Sequence, residues 1–225
     1  MSFCFFMKAV LFDLDNTLID FWKMKKLSCG AAMDAMIDAG LKINRKKALV
    51  LLFKLYDQHG YEDKEIFQKF LKKVTGSIDY RMVAAGIVAY RSLRGGFLHP
   101  YPDTEKVLMT LKQRKLKLGV VTDAPRLKAW IRLEAMQLSR YFDVVVTHED
   151  TRRLKPSTLP FRAALRRLKV KPEECLMLGD MPNRDMVGAR KIGMKTCFAR
   201  YGNAKAKNVK ADFEITSLKM LLKIV

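Results

Sequence analysis

Two aspartates separated by one residue follow an apolar run near the start of the sequence. Asp13 and Asp15 flank Leu14, and residues 8–12 (KAVLF) are predicted to form a buried strand. Side chains two residues apart in an extended segment lie on the same face. Neighbouring carboxylates repel each other, so one of them is easier to protonate. The pair therefore suits a division of labour between a nucleophile and a proton donor.

Further polar clusters follow three other predicted strands. They are Thr122-Asp123, Lys155-Pro156 and Gly179-Asp180, with Asp185 five residues beyond the last of these aspartates. Parallel sheets bind ligands at the carboxyl ends of their strands. Carboxylates such as Asp13, Asp180 and Asp185 supply oxygen ligands, which favour Mg²⁺ over zinc. Thr122 and Lys155 can donate hydrogen bonds to a phosphate.

The elements that must position these clusters are strands that alternate with helices. After Gly95-Gly96, strands are predicted at 116–122, 142–147, 175–178, 194–199 and 213–215. Helices are predicted from about 103, at 125–136, 157–168 and 182–192, and at 217–222. Repeated β-α units predict an α/β fold, with a Rossmann-like parallel sheet and helices on both faces.

The segment from Phe21 to about Leu93 has a different, purely helical pattern. Apolar residues recur at helical spacing, and Gly40, Gly60 and Gly76 divide the segment into about four helices without strands. We therefore predict a helical-bundle cap at 21–96, inserted into a core domain formed by 1–20 and 97–225.

Four motifs give the chain a specific family resemblance. DLDNTL, VVTD, LKP and GDMPNRD begin at residues 13, 120, 154 and 179. In this order the chain resembles the haloacid dehalogenase superfamily, in the subfamily (C1, subfamily I) with a helical cap after the first strand. The resemblance extends from Lys8 to about Gly202. It implies a phosphatase that uses Mg²⁺ and forms an aspartyl phosphate.

The resemblance also implies a role for each motif residue. Asp13 attacks phosphorus, and Asp15 protonates the leaving oxygen and then activates water. Thr122 hydrogen-bonds the phosphoryl group, and Lys155 neutralises charge beside Asp13. The residues implied as the Mg²⁺ site are Asp13, Asp15 through its backbone carbonyl, Asp180 and Asp185.

Substrate contacts are expected from the first two motifs and from the start of the cap. The expected contact residues are Leu14, Asp123, Phe21, Trp22 and Lys26. The motif pattern is similar to that of archaeal members assigned as glyceraldehyde 3-phosphate phosphatases, which implies a small phosphorylated metabolite such as a triose or sugar phosphate. Arg184 stands where many relatives have Asn, and the sequence assigns it no role.

The net charge of +20 keeps other functions open. Such a charge attracts anions in general, including nucleotides and nucleic acid. Residues 152–171 contain eight basic residues and no acidic one, but Phe161 is their only aromatic residue, which gives little support for base stacking. The alternatives are a phosphatase of nucleotides or nucleic-acid ends, and a nucleic-acid-binding protein on this fold.

A third alternative is a 2-haloacid dehalogenase, which the family name suggests. The resemblance implies that such an enzyme needs the first aspartate but neither a second one nor a metal. The presence of Asp15, Asp180 and Asp185 therefore favours phosphoryl chemistry.

The spacing of the cysteines and the length of the apolar segments indicate in which cellular compartment we expect the protein. The four cysteines, one of which is Cys4, form no CxxC pair, and no apolar run approaches the roughly 18 residues of a membrane span. The amino-terminal residues lack the pattern of a signal peptide, with Met1 and Met7 as alternative starts. We expect a cytoplasmic protein with free thiols; the sequence does not predict its oligomeric state.

Overall fold

The structure is a computed structural model that describes residues 7–96 and 98–225. Met1 and Cys4, on which two expectations rest, lie outside the described residues. The described chain divides into two compact units, one formed by 7–21 with 98–225 and the other by 22–96. None of the helices in this described part combines the length and the apolar character that a membrane span requires.

The second unit is a helical bundle. Its helices are α1 (Phe21–Asp38), which starts at the boundary between the units, α2 (Arg45–His59), α3 (Ile66–Thr75) and α4 (Tyr80–Gly96). The predicted helices are therefore present, and two of the predicted glycine breaks, Gly60 and Gly76, follow α2 and α3 directly. Buried apolar side chains such as Met33, Leu52 and Phe70 form its core.

The first unit is built on a sheet of six parallel strands. They are β1 (Ala9–Phe12), β2 (Lys117–Val121), β3 (Val144–Val146), β4 (Cys175–Gly179), β5 (Lys195–Ala199) and β6 (Phe213–Ile215). Their order across the sheet is β3-β2-β1-β4-β5-β6. The predicted parallel α/β sheet is confirmed. Because β1 lies between β2 and β4, the residues after these three strands meet at one edge.

Helices cover this sheet. They are α5 (Thr104–Gln113), α6 (Arg126–Ala135), α7 (His148–Thr151), α8 (Thr158–Leu168) and α9 (Val187–Arg190). Leu11 of β1 packs in one core cluster with Phe161 and Leu165 of α8. The next residue, Phe12, points to the opposite face and is also fully buried. Both faces of the central strand are therefore covered, which explains its uninterrupted apolar sequence.

Three short segments differ from the predicted helices. The predicted helix 182–192 begins as one π-helical turn, Pro182–Met186, before α9. Single π turns are frequent at functional sites, and this one carries Asp185. The closing helix is the 3₁₀ segment Leu218–Lys223. The short helix α7 was not predicted, because four residues are too few for an apolar periodicity.

Candidate active site

Asp13 occupies the first position after the central strand. Its backbone N–H donates to the carbonyl of Leu178 at 2.8 Å, which extends the pairing of β1 with β4 by one residue. The chain then turns, with the Leu18 N–H donating to the Leu14 carbonyl at 2.9 Å and Asn16 at φ 58°. Asparagine tolerates this left-handed conformation better than most residues do. The turn thus holds the buried Asp13 side chain at the sheet edge.

Thr122 occupies the equivalent position after the neighbouring strand. Its N–H donates to the Val146 carbonyl at 3.0 Å, and its buried hydroxyl accepts a hydrogen bond from the Ala124 N–H at 3.1 Å. A hydroxyl that accepts from the backbone still has its own proton to donate. Thr122 can therefore donate to an anion at this edge.

Lys155 links the strand ends, although it lies in a loop. Its Nζ lies 2.7 Å from Asp13 Oδ1 and 2.7 Å from Asp185 Oδ1, and donates to the Val121 carbonyl at 2.9 Å. The Lys155 backbone N–H donates to Asp123 Oδ1 at 2.9 Å, which fixes the loop. Burial alone would lower the pKa of Lys155, but the negative charges of Asp13 and Asp185 raise that pKa above its usual value. The two carboxylates thus favour the charged form of this side chain.

Three buried carboxylates surround one point beside this lysine. One oxygen of each of Asp13, Asp180 and Asp185 lies within 4.8 Å of the others. Asp180 is 2% exposed and Asp185 is fully buried. Burial and the charge of Asp13 raise the pKa of Asp180, and burial raises that of Asp185. When all three carboxylates are ionised, their charge exceeds that of the one ammonium group, so a bound cation would stabilise the ionised form.

This donor set fits a hard divalent cation. All three side chains offer oxygen, which suits Mg²⁺ and does not suit a soft metal. Asp180 Oδ1 is buried and has no hydrogen-bond partner among the described residues. A buried acceptor without a donor is unfavourable, and a bound cation would compensate it. The residues therefore fit the expected magnesium.

The placement of Asp185 depends on a glycine. A Cβ atom on Gly179, the last residue of β4, would overlap the carboxylate of Asp185. That carboxylate also accepts a hydrogen bond from the Met181 N–H at 3.0 Å. The π turn and the missing side chain at Gly179 together direct Asp185 inward, where it is fully buried.

The loop after β5 braces two of these segments, and sequence reasoning missed it. The Tyr201 hydroxyl donates to the Thr17 carbonyl at 2.8 Å, and Asn203 Nδ2 donates to the Asp180 carbonyl at 3.0 Å. Between them, Gly202 approaches the Asn16 carbonyl so closely that a Cβ atom would overlap it. These contacts join segments that are distant in sequence, and no local sequence pattern predicts them.

Asp15 contacts a buried arginine that sequence reasoning also missed. Arg132 Nη1 lies 3.1 Å from Asp15 Oδ2, and Arg132 is only 1% exposed. A signal was present in the sequence: Arg132 shares the buried face of α6 with Ala129 and Leu133, at helical spacing. An arginine on an apolar helix face usually has a charged partner.

The expected substrate contacts within the first unit have different environments. The Leu14 side chain is fully buried, so a contact with substrate would use its backbone. Asp123 lies 3.4 Å from Nη1 of Arg184, a half-exposed residue to which the sequence assigned no role. Phe21 is buried, and its ring centroid lies 4.9 Å from Cζ of Arg132.

The remaining two expected contacts belong to the second unit. The ring of Trp22 packs edge-to-face on Tyr61 at 4.9 Å, and Lys26 is exposed. Their contact with a substrate stays a prediction.

Comparisons with known proteins place this site in a family. A profile described as haloacid dehalogenase-like hydrolase matches residues 10–199. The glyceraldehyde 3-phosphate phosphatase of Methanocaldococcus jannaschii is 35% identical over 222 residues, which cover 97% of this chain and 96% of that protein. The pyrophosphatase PpaX of Bacillus cereus is 31% identical over 225 residues, with 96% and 95% covered.

A solved structure gives the same result. The crystal structure of a HAD phosphatase from Thermococcus onnurineus is 28% identical, with a TM-score of 0.69 and 97% of each chain covered. The family profile and the first relative each cover most of this chain. The chain therefore belongs to the family of haloacid dehalogenase-like hydrolases.

Proposed function

We propose that this chain is a magnesium-dependent phosphatase that hydrolyses a small phosphomonoester through an aspartyl phosphate on Asp13. The observation that carries the proposal is the position of Lys155 Nζ, 2.7 Å from both Asp13 and Asp185. The names of the three relatives given above, two phosphatases and one pyrophosphatase, support the phosphoryl chemistry.

In the first step, an oxygen of Asp13 forms a bond to phosphorus while the bond from phosphorus to the leaving oxygen breaks. Asp15 transfers a proton to that leaving oxygen, because an alkoxide is a poor leaving group. Lys155 and the Thr122 hydroxyl donate to the phosphoryl oxygens, whose charge spreads in the transition state. Bound Mg²⁺, held by Asp13, Asp15 through its backbone carbonyl, Asp180 and Asp185, would supply further positive charge for both the nucleophile and the phosphoryl group.

In the second step, the oxygen of water forms a bond to phosphorus as the bond between phosphorus and Asp13 breaks. Asp15 accepts a proton from this water, so the enzyme returns to its starting state with inorganic phosphate as product. The ammonium group of Lys155, 2.7 Å from Asp13 Oδ1, compensates the carboxylate of Asp13 at the beginning and at the end of the cycle.

For the substrate we propose glyceraldehyde 3-phosphate or a closely related triose or sugar phosphate. The relative from Methanocaldococcus jannaschii, which matches nearly the whole chain, supports this choice. Pyrophosphate is a second candidate, because the Bacillus cereus relative is named for it. Trp22 and Lys26 are the proposed contacts for the leaving group.

The test is a phosphate-release screen with triose phosphates, sugar phosphates, nucleotides and pyrophosphate. We expect turnover with Mg²⁺ and none after chelation. Asp13→Asn should lower kcat by roughly 10⁴-fold or more, the scale seen when a covalent nucleophile is removed. Asp34→Asn is the matched control, because Asp34 is a half-exposed aspartate in an ion pair with Arg45 and should retain full activity. Substantial turnover by Asp13→Asn would exclude the proposed mechanism.

A further inference from the structure

A buried arginine outside the four motifs contacts the proposed acid and base. Arg132 Nη1 lies 3.1 Å from Asp15 Oδ2, and the arginine side chain is 1% exposed whereas that of Asp15 is 26% exposed. Burying a guanidinium group is costly unless it is paired. This pairing is therefore a specific feature of the site and differs from a surface ion pair.

The arginine is held from two sides. Its guanidinium carbon lies 4.9 Å from the ring centroid of Phe21, which is within the distance of a cation–π contact. Phe21 is itself buried at the start of α1. With Asp15 on another side, Arg132 has little freedom, so its planar guanidinium group keeps a fixed orientation.

The position of α6 in the chain connects this arginine with the phosphoryl-binding residue. The helix begins at Arg126, soon after Thr122 at the end of β2, and Arg132 lies within its last turns. Ala129 and Leu133, on the same face, are fully buried and anchor the helix to the core. A rigid helix thus carries the group that contacts the proton donor.

We propose that Arg132 is the positioning residue for the general acid and base Asp15. By contacting Oδ2, it fixes the orientation of the Asp15 carboxyl group, which gives up the proton in the first step and receives one from water in the second. This inference rests on the proposed function, because it needs Asp15 to act as acid and base.

A leaving-group comparison tests the role. Expulsion of an alkyl alcohol needs the proton from Asp15, whereas p-nitrophenolate leaves without one. With enzyme in excess, release of the alcohol or of p-nitrophenolate in the first turnover reports formation of the aspartyl phosphate alone. We expect Arg132→Met to slow the first turnover of glycerol 3-phosphate by roughly 10²-fold and that of p-nitrophenyl phosphate by less than about tenfold.

Other variants supply the controls. Asp15→Asn should show the same selective loss as Arg132→Met. Arg132→Lys keeps the charge without the planar group. Its rate ratio, the rate with glycerol 3-phosphate divided by that with p-nitrophenyl phosphate, should lie between the ratios of wild type and Arg132→Met. Arg140→Met removes an exposed arginine, paired with Glu105, and should leave both rates unchanged.

The inference is overturned if Arg132→Met slows both substrates by the same factor, or slows neither. If Arg132→Met does not fold, Arg132→Lys decides: a rate ratio reduced by more than about threefold supports the role, and a wild-type ratio overturns it. Asp13→Asn distinguishes a wrong role for Arg132 from a wrong proposed function. If Asp13 is the nucleophile, this variant should lose turnover of both substrates, whatever the role of Arg132.

Discussion

Lys155 Nζ lies 2.7 Å from Asp13 Oδ1 in a pocket where both residues are buried. The same nitrogen contacts Asp185, so one cation is shared by two buried carboxylates. Removal of one partner from a buried ion pair leaves an uncompensated charge, which costs more than the pair contributes. Loss of this lysine alone would therefore destabilise the fold as well as impair the proposed reaction.

Replacement of this lysine should affect stability and turnover together. We expect Lys155→Met to lower the free energy of unfolding by about 3–5 kcal/mol, because the carboxylates of Asp13 and Asp185 lose their compensating charge. Urea unfolding in the presence of chelator measures this loss, and phosphate release with Mg²⁺ should fall to background in the same variant.

An exposed lysine supplies the control. Lys112 forms an ion pair with Asp143, and the two side chains are 36% and 40% exposed. Lys112→Met should cost less than about 1 kcal/mol. Equal losses of stability in the Lys112 and Lys155 variants would show that removing the lysine of the buried pair costs no more than removing that of an exposed pair.

Most of the site could be predicted because its residues follow strands directly. Asp13, Thr122 and Asp180 each end an apolar run, and this pattern identifies both the strand and its carboxyl end. Parallel strand order then brings the three residues to one edge. Lys155 was found by its motif, and its place in a basic stretch gave no indication that it is buried.

The residues that were missed depend on tertiary contacts between distant segments. Tyr201 and Gly202 brace the turn after β1 from a loop nearly at the other end of the chain. The π turn at Pro182 also escaped prediction, since proline is common at the start of an ordinary helix. Arg132 had the one readable signal, a charged residue on an apolar helix face.

Because Gly202 lies so close to the Asn16 carbonyl, adding a single methyl group at Gly202 should strongly reduce turnover. Gly202→Ala would place Cβ on the carbonyl oxygen of Asn16 and within 3.0 Å of Asp180 Cβ. Backbone cannot move aside as a flexible side chain can, so the turn holding Asp13 must shift. We expect turnover to fall at least about 10²-fold, since misplacement by about 1 Å is enough for that.

Gly95 is the matched control for this substitution. It lies within α4, and a Cβ atom there meets nothing within 4 Å. Gly95→Ala should keep full activity and raise the free energy of unfolding by up to about 1 kcal/mol, because alanine favours helix. If Gly202→Ala were as active as Gly95→Ala, the close approach would have no functional consequence.

Acid stability should depend on Asp150, which is remote from the proposed metal site in sequence. Its carboxylate accepts hydrogen bonds from the Thr147 N–H and hydroxyl, both at 2.8 Å, and from Arg167 Nη2 at 2.8 Å. Although burial raises the pKa of Asp150, the bonds from Arg167 and Thr147 lower it to about 2 from 3.8. The stabilisation is therefore complete above about pH 4 and is lost as pH falls toward 2.

Asp150→Asn tests this pH dependence. At pH 7 we expect the variant to be less stable by about 1 kcal/mol, a value reduced for the partial exposure of Arg167. Thermal unfolding of both proteins from pH 7 down to pH 2 should show the difference shrinking below pH 4. A difference that stays constant over this range would mean that the Asp150 carboxylate is not the group responsible.

Asp180 should destabilise the fold when no metal is bound and stabilise it when Mg²⁺ is bound. Without metal, burial and Asp13 raise the pKa of Asp180, so this carboxyl group destabilises the fold increasingly as pH rises above about 4. Asp180→Asn removes that cost, and at pH 7 the metal-free variant should be more stable than metal-free wild type by about 1–3 kcal/mol.

With Mg²⁺ bound, wild type should be more stable than Asp180→Asn, the reverse of the metal-free order. A ligand at about 100 times its Kd stabilises the folded state by about 2.7 kcal/mol, and the variant, which lacks one carboxylate, should gain much less. Chelator-treated wild type and Asp180→Asn are therefore compared by thermal unfolding with and without added Mg²⁺, with Asp34→Asn as the control that should respond like wild type. If Mg²⁺ stabilised Asp180→Asn as strongly as wild type, Asp180 would not be a ligand, and the cation would have to bind elsewhere.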